Sequence, residues 1–279
     1  MEDGSFGDPP RQLTGRTTTS FVVLAGLLAW LSAAAACERP QTEWPSTGTF
    51  SILGFDPQTG ELGGAVQSRV FSVGNGVLWA EAGVGAVATQ AIVDVSYGPK
   101  AMDLLRRGTR PAEIIRSVLD QDSDPGYRGQ RWQKAGRQFA VITARGEVAA
   151  YTGPEAPPEF ADKQGAYCTA QGNTLGSKDV PAAMVKAFED SQKDPGGRRN
   201  HLALRLLLAI EAGQAAGGDR RGQQSAALLV VKKDCGVWLH NDVELDLHVD
   251  DSAEPIKELR RLVEKALAPR SGQIPCYSR

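Results

Sequence analysis

The segment GTFSILGFDPQTGELGGAVQS, residues 48–68, decides the fold class of this chain. Two apolar-rich stretches, Thr49–Phe55 and residues 61–68, flank a turn sequence in which Pro57 and Gly60 occupy turn-forming positions. This pattern predicts a β-hairpin. The threonine that opens the first strand is ordinarily just a β-branched strand residue.

Thr49 also follows a spacer-like sequence, so cleavage before it would create a new N-terminal residue. A free N-terminal threonine carries both a hydroxyl nucleophile and an α-amine that can act as its base. Such an amine titrates near about 7.7 to 8.0, which makes a catalytic histidine unnecessary. The chain has 3 histidines, so few residues are available to act as the base of a Ser-His-Asp triad.

The remaining segments follow the hairpin in alternating blocks of strands and helices. Apolar periodicity predicts strands at 77–83, 84–93, 137–144, 146–152, 167–171, 225–231 and 237–247, and helices at 99–107, 111–121, 180–192, 201–213 and 255–268. This order predicts an α+β fold in which two sheets pack together and helices cover their outer faces.

The first 36 residues have the pattern of a secretory signal peptide. Arg11 and Arg16 precede an apolar run over residues 21–36, which ends in alanines before Cys37. This predicts export to the periplasm or the medium. An uncleaved anchor is the weaker interpretation, because the run is shorter than the roughly 18 to 20 residues that span a bilayer. Residues 37–48 read as a flexible spacer, residues 49–268 as one domain and residues 269–279 as a tail.

Lipidation of Cys37 stays open. The small residues before this cysteine resemble a bacterial lipobox, but Ala34 stands where leucine is favoured. Contact with a membrane is expected only through such a lipid. The net charge of -2, from 31 basic and 33 acidic residues, gives no excess to neutralise phosphates, so nucleic-acid binding is not expected. Homo-oligomerisation is left open.

Four cysteines, at positions 37, 168, 235 and 276, form no Cys-x-x-Cys pair, so a structural zinc site has no support. In an oxidising compartment a disulfide is plausible. We expect Cys235 to pair with Cys276, because the C-terminal tail needs an anchor. Cys168 would then be a small buried apolar residue.

Two further patterns have plain structural explanations. GVGAVA, from Gly83, fits a loose dinucleotide pattern, but the strand-like residues after it leave no helix for a phosphate, so we expect a bend between strands. From His240 to Asp250, acidic residues and histidines alternate with apolar ones, which would place them on one strand face. A metal site is conceivable there, but a solvated face explains the pattern better, and no metal or other cofactor is expected.

The turn GGDRRGQQS, which starts at Gly217, is richer in charge than a helix stop requires. In a functional interpretation Asp219 orients an ammonium group and Arg220 or Arg221 pairs with a substrate carboxylate. After the strand at 167–171, Asn173 offers an amide that could stabilise an oxyanion, although asparagine is also common in tight turns.

Seven ordered blocks resemble a bacterial family of unknown function that is placed in the N-terminal-nucleophile (Ntn) hydrolase superfamily. They are TFSI from Thr49, DPxTGELG from Asp56, AVxS from Ala65, GVGAVATQ from Gly83, YGP from Tyr97, QGN from Gln171 and GGDRRGxQSAAL from Gly217. The similarity runs from Thr49 to about Leu267. The chain departs from the family around residues 127–134 and 241–244, at His248 and Ser252, and in the tail that carries Cys276.

The resemblance implies a four-layer αββα sandwich of the Ntn type and hydrolysis of an amide bond by a terminal nucleophile. Many members start Met-Thr-Phe-Ser, which matches Thr49, and the Gly48-Thr49 step resembles the autoprocessing junction of proteasome β-subunits. The leading hypothesis is therefore an exported amidohydrolase that acts on a small-molecule or peptide-like amide. Its catalytic residues would be Thr49, Asn173 and Asp219, with substrate contacts from Ser68, Gln90, Arg220, Arg221 and Ser225. The alternative is a non-catalytic domain of the same fold that binds a small anion at Arg220 and Arg221.

Overall fold

The computed structural model describes residues 48–124, 126, 132–236 and 241–268. The expected signal peptide, most of the spacer, His240 and the tail with Cys276 lie outside these residues. Cys235 is disulfide-bonded, but its pairing with Cys276 stays a prediction. In this part of the chain, no helix combines the length and apolar character that a membrane span needs.

Six strands form an antiparallel sheet with the first strand near its centre. Its strands are β1 (Thr49–Phe55), β2 (Leu62–Ser68), β7 (Ala161–Gly165), β8 (Cys168–Asn173), β9 (Ser225–Val231) and β10 (Val243–Val249). Their order across the sheet is β10-β9-β2-β1-β8-β7. The turn between β1 and β2 closes through backbone hydrogen bonds between Asp56 and Glu61 and between Gly60 and Asp56. The predicted hairpin is thus confirmed.

Four strands form the second antiparallel sheet, in the order β3-β4-β5-β6. Its strands are β3 (Leu78–Glu81), β4 (Gly85–Ala91), β5 (Arg137–Thr143) and β6 (Val148–Thr152). Gly83, with a φ of 74°, lies in the turn between β3 and β4. Gly83 and Val84 therefore form the expected bend between strands, and the rest of the GVGAVA segment begins β4.

Six α-helices occur in the described residues, together with one 3-10 turn at Lys134–Gly136. They are α1 (Gly74–Val77), α2 (Tyr97–Arg106), α3 (Pro111–Asp120), α4 (Val180–Asp190), α5 (Leu202–Ala215) and α6 (Pro255–Leu267). α2 and α3 cover the four-stranded sheet, whereas α4, α5 and α6 cover the six-stranded sheet.

The alternation of side chains along β1 links these layers. Phe50 and Ile52 pack against the helices on one face, and Leu53 and Phe55 pack between the two sheets on the other. Burying apolar side chains on both faces is the main stabilising contribution of such a strand. The mixed α/β fold with two antiparallel sheets and covering helices, expected from the order of elements, is confirmed.

Three local features differ from the expectations. The strand β7 was not predicted, because Asp162, Lys163 and Gln164 are exposed on a sheet edge and give no apolar alternation. The residues before β3 form the short helix α1. The last strand, predicted over residues 237–247, covers Val243–Val249 in the described part of the chain, and residues 237–240 lie outside that part.

The alternation in this last strand is broken by a bulge between Val243 and Leu245. Val243 packs between the sheets, whereas Leu245 packs on the helix side, although the two are separated by a single residue. The prediction that all its acidic residues and histidines share one face is therefore wrong, because the bulge turns Glu244 away from the set.

Candidate functional site

The candidate site is built around Thr49, which opens the central strand β1. Its side chain is buried, with 5% of the residue exposed. In the sheet register Thr49 lies opposite Ser68 at the end of β2 and opposite Asn173 at the end of β8. Strand pairing thus brings together three residues that are far apart in the sequence.

The hydroxyl of Thr49 is linked through Ser68 to the carbonyl of the residue before it. Thr49 Oγ1 donates a hydrogen bond to Ser68 Oγ at 3.0 Å. Ser68 Oγ in turn donates to the carbonyl oxygen of Gly48. The nucleophile candidate, the serine and the carbonyl before Thr49 therefore form one hydrogen-bonded chain.

Arg221 supplies a second donor to the same carbonyl. Its Nη2 lies 2.7 Å from the oxygen of Gly48 and 2.6 Å from Asp219 Oδ2. Asp219 is buried and also accepts from the Nε of Arg221 at 3.0 Å and from the backbone N–H of Arg69 at 3.3 Å. The carboxylate thus fixes the guanidinium against Gly48.

Arg220 has a different place from its neighbour. Its side chain is exposed, while its backbone N–H donates to the carbonyl of Thr174 at 3.0 Å. This bond and the bridge between Leu175 and Asp219 attach the charged turn to the end of β8. Of the rim residues expected from the sequence, Asp219 and Arg221 reach the Thr49 site and Arg220 lies on the surface.

Asn173 and Gln90 donate to the carbonyl of Thr49 itself. The distances from Asn173 Nδ2 and Gln90 Nε2 to this oxygen are 3.4 Å and 3.3 Å. Asn173 was expected as an oxyanion donor for the reacting carbonyl. In this state of the chain the carbonyl before Thr49 is held by Ser68 and Arg221 instead, and Asn173 positions the Thr49 backbone.

A buried amide network continues from Asn173 between the two sheets. Gln138 Oε1 accepts from Asn173 at 3.0 Å and from Gln90 at 2.7 Å. Ser51 donates to Gln90 Oε1 at 2.6 Å and accepts from Gln171 Nε2 at 2.6 Å. Gln138 was not singled out in the sequence, and Ser51 and Gln171 were quoted only within the TFSI and QGN blocks, without a role. Their signal is a polar side chain at an inward-facing strand position, two residues along from Thr49 in the case of Ser51.

Ser225, expected at the substrate rim, has a structural partner. Its Oγ donates to the carbonyl of Val70 at 2.6 Å and accepts from the N–H of Val73 at 3.1 Å. Since both partners lie in the segment that follows β2, Ser225 holds that segment in place.

A second cluster lies at the opposite end of β1 and β2. His201 Nε2 is 3.2 Å from Glu244 Oε1 and 3.8 Å from Glu61 Oε1, so one histidine and two carboxylates lie close enough to hold a metal ion. Lys232 Nζ also lies 3.5 Å from Glu61 Oε1. This cluster escaped the sequence analysis because its members come from three separate segments.

Hydrogen bonding favours a helix cap over a metal ligand at His201. Its Nδ1 accepts from the backbone N–H of Ala203 at 3.1 Å and so caps helix α5. In a neutral ring with a lone pair on Nδ1, the proton lies on Nε2, which then donates to Glu244 instead of binding a cation. Burial lowers the pKa of His201, but the Glu244 and Glu61 carboxylates outweigh this and raise it above its ordinary value.

Solved structures and one family model are similar to this chain. A crystal structure of a Silicibacter pomeroyi protein labelled DUF1028 is 32% identical with a TM-score of 0.68, and the match covers 80% of this chain and 87% of that one. Anbu, an ancestral beta-subunit from Yersinia bercovieri, is 11% identical with a TM-score of 0.34, and covers 81% of this chain and 100% of that one. The latter likeness is too weak to carry an argument. No curated protein matches. The model of the family of unknown function DUF1028 matches residues 49–259, and the chain therefore belongs to this family.

Proposed function

We propose that this chain is a hydrolase of amide bonds of the Ntn type, with the αββα sandwich of that superfamily and Thr49 as its nucleophile. The observation that carries the proposal is the carbonyl of Gly48. It receives hydrogen bonds from Ser68 and from Arg221, and the Thr49 hydroxyl is bonded to the same serine. Two donors on a carbonyl beside a hydroxyl are the elements of an oxyanion site.

The first reaction of the site is cleavage of the Gly48–Thr49 bond. Thr49 Oγ1 attacks the carbonyl carbon of Gly48, and its proton passes to Ser68 while the Ser68 proton moves to the developing oxyanion. The C–N bond then breaks, the nitrogen takes up that proton, and an ester links Gly48 to Thr49. Water hydrolyses the ester, which leaves a glycine carboxylate and a free Thr49 with its hydroxyl restored.

The free amine of Thr49 completes the hydrolase. While Gly48 is attached, this nitrogen is an amide without useful basicity. After cleavage it is an amine with an ordinary pKa near about 8, which can take the hydroxyl proton at neutral pH. A substrate amide is then attacked by Thr49 Oγ1, and the same amine returns the proton to the leaving nitrogen.

The non-catalytic alternative has less support. It needs Arg220 and Arg221 to be available for an anion, but Arg221 is bonded to Asp219 and to the Gly48 carbonyl. Export through residues 1–36, and release of residues 37–48 on cleavage, complete the proposal.

Mass spectrometry of the purified full chain tests the proposal. We expect wild-type protein to convert in the absence of any protease to a species that begins at Thr49. Thr49→Ala should fold normally but remain uncleaved and inactive, because it lacks the nucleophile. Thr49→Ser should retain slower cleavage.

Thr109→Ala is the matched control, since Thr109 lies in the loop before α3, and it should cleave like wild type. An active preparation that keeps residues 37–48 attached would contradict the mechanism. Cleavage by the Thr49→Ala chain at the same bond would assign processing to an external protease.

A further inference from the structure

We infer that the mature site accepts only acyl groups in which the carbon next to the scissile carbonyl carries no side chain, so that its substrates are glycyl amides or their methylene analogues. This inference rests on the proposed function and names its substrate class. It comes from the space around Gly48, which is the acyl group that the folded chain itself presents to Thr49.

The space beside the α-carbon of Gly48 is closed on three sides. A Cβ built on this residue would lie 2.7 Å from Arg221 Nη2, 2.8 Å from Asp219 Oδ2 and 2.8 Å from Thr174 Cβ. Carbon and heteroatom contacts this short are well inside van der Waals distance. We call these three groups the walls of the site, and even a methyl group on this carbon requires one of them to move.

The two charged walls are held by each other. Arg221 donates to both carboxylate oxygens of Asp219, at 3.0 Å and 2.6 Å. Asp219 Oδ1 also accepts from the backbone N–H of Arg221 at 3.0 Å. Moving either side chain away from Gly48 would weaken a partly buried, charge-assisted pair.

The third wall is part of the backbone framework. Thr174 has a φ of 54°, its N–H donates to Pro158 at 3.1 Å and its carbonyl accepts from Arg220 at 3.0 Å. Since Cβ is attached directly to this fixed backbone, rotation of the side chain cannot move it aside. The wall at Thr174 is thus the most rigid of the three.

The same walls remain after the residues up to Gly48 have been cleaved off. Cleavage removes Gly48 but leaves Ser68 and Arg221 as donors beside the Thr49 hydroxyl. A substrate whose carbonyl oxygen takes these two donors brings its adjacent carbon to the place that the α-carbon of Gly48 held. The limit on a side chain then applies to the substrate as it applies to residue 48.

Hydrolysis of such a substrate follows the chemistry of the first cleavage. Thr49 Oγ1 bonds to the glycyl carbonyl carbon, the C–N bond breaks, and the leaving amine takes the proton that the Thr49 amine had received. Water then releases the glycyl carboxylate and restores the hydroxyl. No oxidant, metal or further reactant is required.

The chain's own junction gives the first test. Gly48→Ala should slow cleavage before Thr49 by at least about tenfold, the scale expected for one excluded methyl group. Gly196→Ala is the control, because the nearest atom to its Cβ is 3.2 Å away on Asp194, on the surface. Thermal denaturation of both variants checks that the fold is retained. Cleavage of Gly48→Ala at the wild-type rate overturns the inference.

A substrate panel on the mature protein gives the second test. N-acylated glycyl, alanyl and leucyl aminocoumarin amides differ only at the carbon in question. We expect kcat/KM for the glycyl amide to exceed that for the alanyl amide by about tenfold or more. Thr174→Gly removes the rigid wall at a positive φ that glycine tolerates, and should raise the alanyl-to-glycyl ratio by about tenfold.

The outcomes separate the inference from the proposed function. Equal hydrolysis of the three amides, or hydrolysis of none by a protein that begins at Thr49, overturns the inference while self-cleavage stands. A wild-type chain that never loses Gly48 overturns the proposed function. If Thr174→Gly leaves the ratio of alanyl to glycyl kcat/KM unchanged, Thr174 is not the wall that excludes the side chain.

Discussion

At the scale of single residues, a buried ion pair joins β5 to the segments that follow β4 and α3. Arg137 donates to Asp122 at 3.0 Å and to the carbonyl of Ile92 at 2.8 Å. Tyr97 donates to the same carboxylate at 2.6 Å. Burial and the neighbouring Asp122 raise the pKa of Tyr97, which keeps its hydroxyl a donor.

We predict that Asp122→Ala strongly destabilises the protein. It leaves the buried guanidinium of Arg137 without its counter-charge, which costs about 3 to 5 kcal/mol in such pairs. Glu81→Ala is the comparison, because Glu81 pairs with Arg106 on the surface, where a pair contributes below about 1 kcal/mol. Urea unfolding measures both, and equal losses would contradict the prediction.

The expectation that Cys168 is a small buried apolar residue is confirmed, since it is free and fully buried. Burial raises the pKa of its thiol to about 12. We predict that native protein is not alkylated at Cys168 by iodoacetamide at mildly alkaline pH, because the thiolate is the reactive form. Peptide mapping before and after denaturation checks this, and rapid modification of the native state would contradict it.

At the scale of elements, glycines allow the central strands to approach closely. A Cβ on Gly63 in β2 would lie 1.9 Å from the carbonyl oxygen of Leu229 in β9, a backbone atom that cannot turn aside. We predict that Gly63→Ala costs at least about 2 kcal/mol of unfolding free energy. Gly60→Ala in the hairpin turn has no atom within 4 Å, and should cost about 1 kcal/mol for its positive φ alone.

Chemical denaturation of the two variants gives the comparison. If Gly63→Ala is as stable as Gly60→Ala, the spacing of β2 and β9 is not limited by that glycine. Thermal unfolding of the same pair provides an independent readout.

The regular elements could be predicted from the sequence where local pattern and burial agree. Thr49–Phe55 and Ser225–Val231 have the predicted bounds, because both are apolar strands buried by their neighbours. β7 and the bulge at Glu244 could not be predicted, since an edge strand and an extra residue in a ladder depend on the partner strand.

The candidate site shows the same division. Thr49, Ser68, Asn173 and Asp219 were identified from the sequence, and the sheet register and the 217–225 turn bring them together. The proximity of His201 to Glu244 was missed, because it arises from packing of segments that no local pattern connects.

At the scale of the whole molecule, two buried carboxylates make the folding stability depend on pH in the acid range. Burial raises the pKa of Asp56, but hydrogen bonds from Gln58 and Arg199 outweigh it, so the pKa lies below the ordinary 3.8. The pKa of Asp122 is also held below 3.8, because Tyr97, Asp124 and Arg137 outweigh its burial. Lowered folded-state values favour the native state whenever both carboxylates are ionised.

We predict that unfolding free energy is at its full value with respect to these groups above pH 3.8, the unfolded value, and falls as pH drops through their lower folded-state values. Urea midpoints measured from neutral pH to about pH 3 should stay constant with respect to these groups above pH 3.8 and decline below it. The double variant Asp56→Asn, Asp122→Asn should have a lower unfolding free energy at neutral pH, and its stability should depend less on pH in the acid range. An equally steep decline in the double variant would assign the acid sensitivity elsewhere.

The amide network between the sheets also limits which substitutions this chain can accept. Gln90, Gln138 and Ser51 each serve as donor and acceptor to other buried groups. Replacing one of them by an apolar residue leaves neighbouring buried polar groups without hydrogen-bond partners, which lowers stability. A second, compensating replacement would remove this cost. Single substitutions in this network are thus disfavoured, and we expect these positions to change together or to stay unchanged together over evolutionary time.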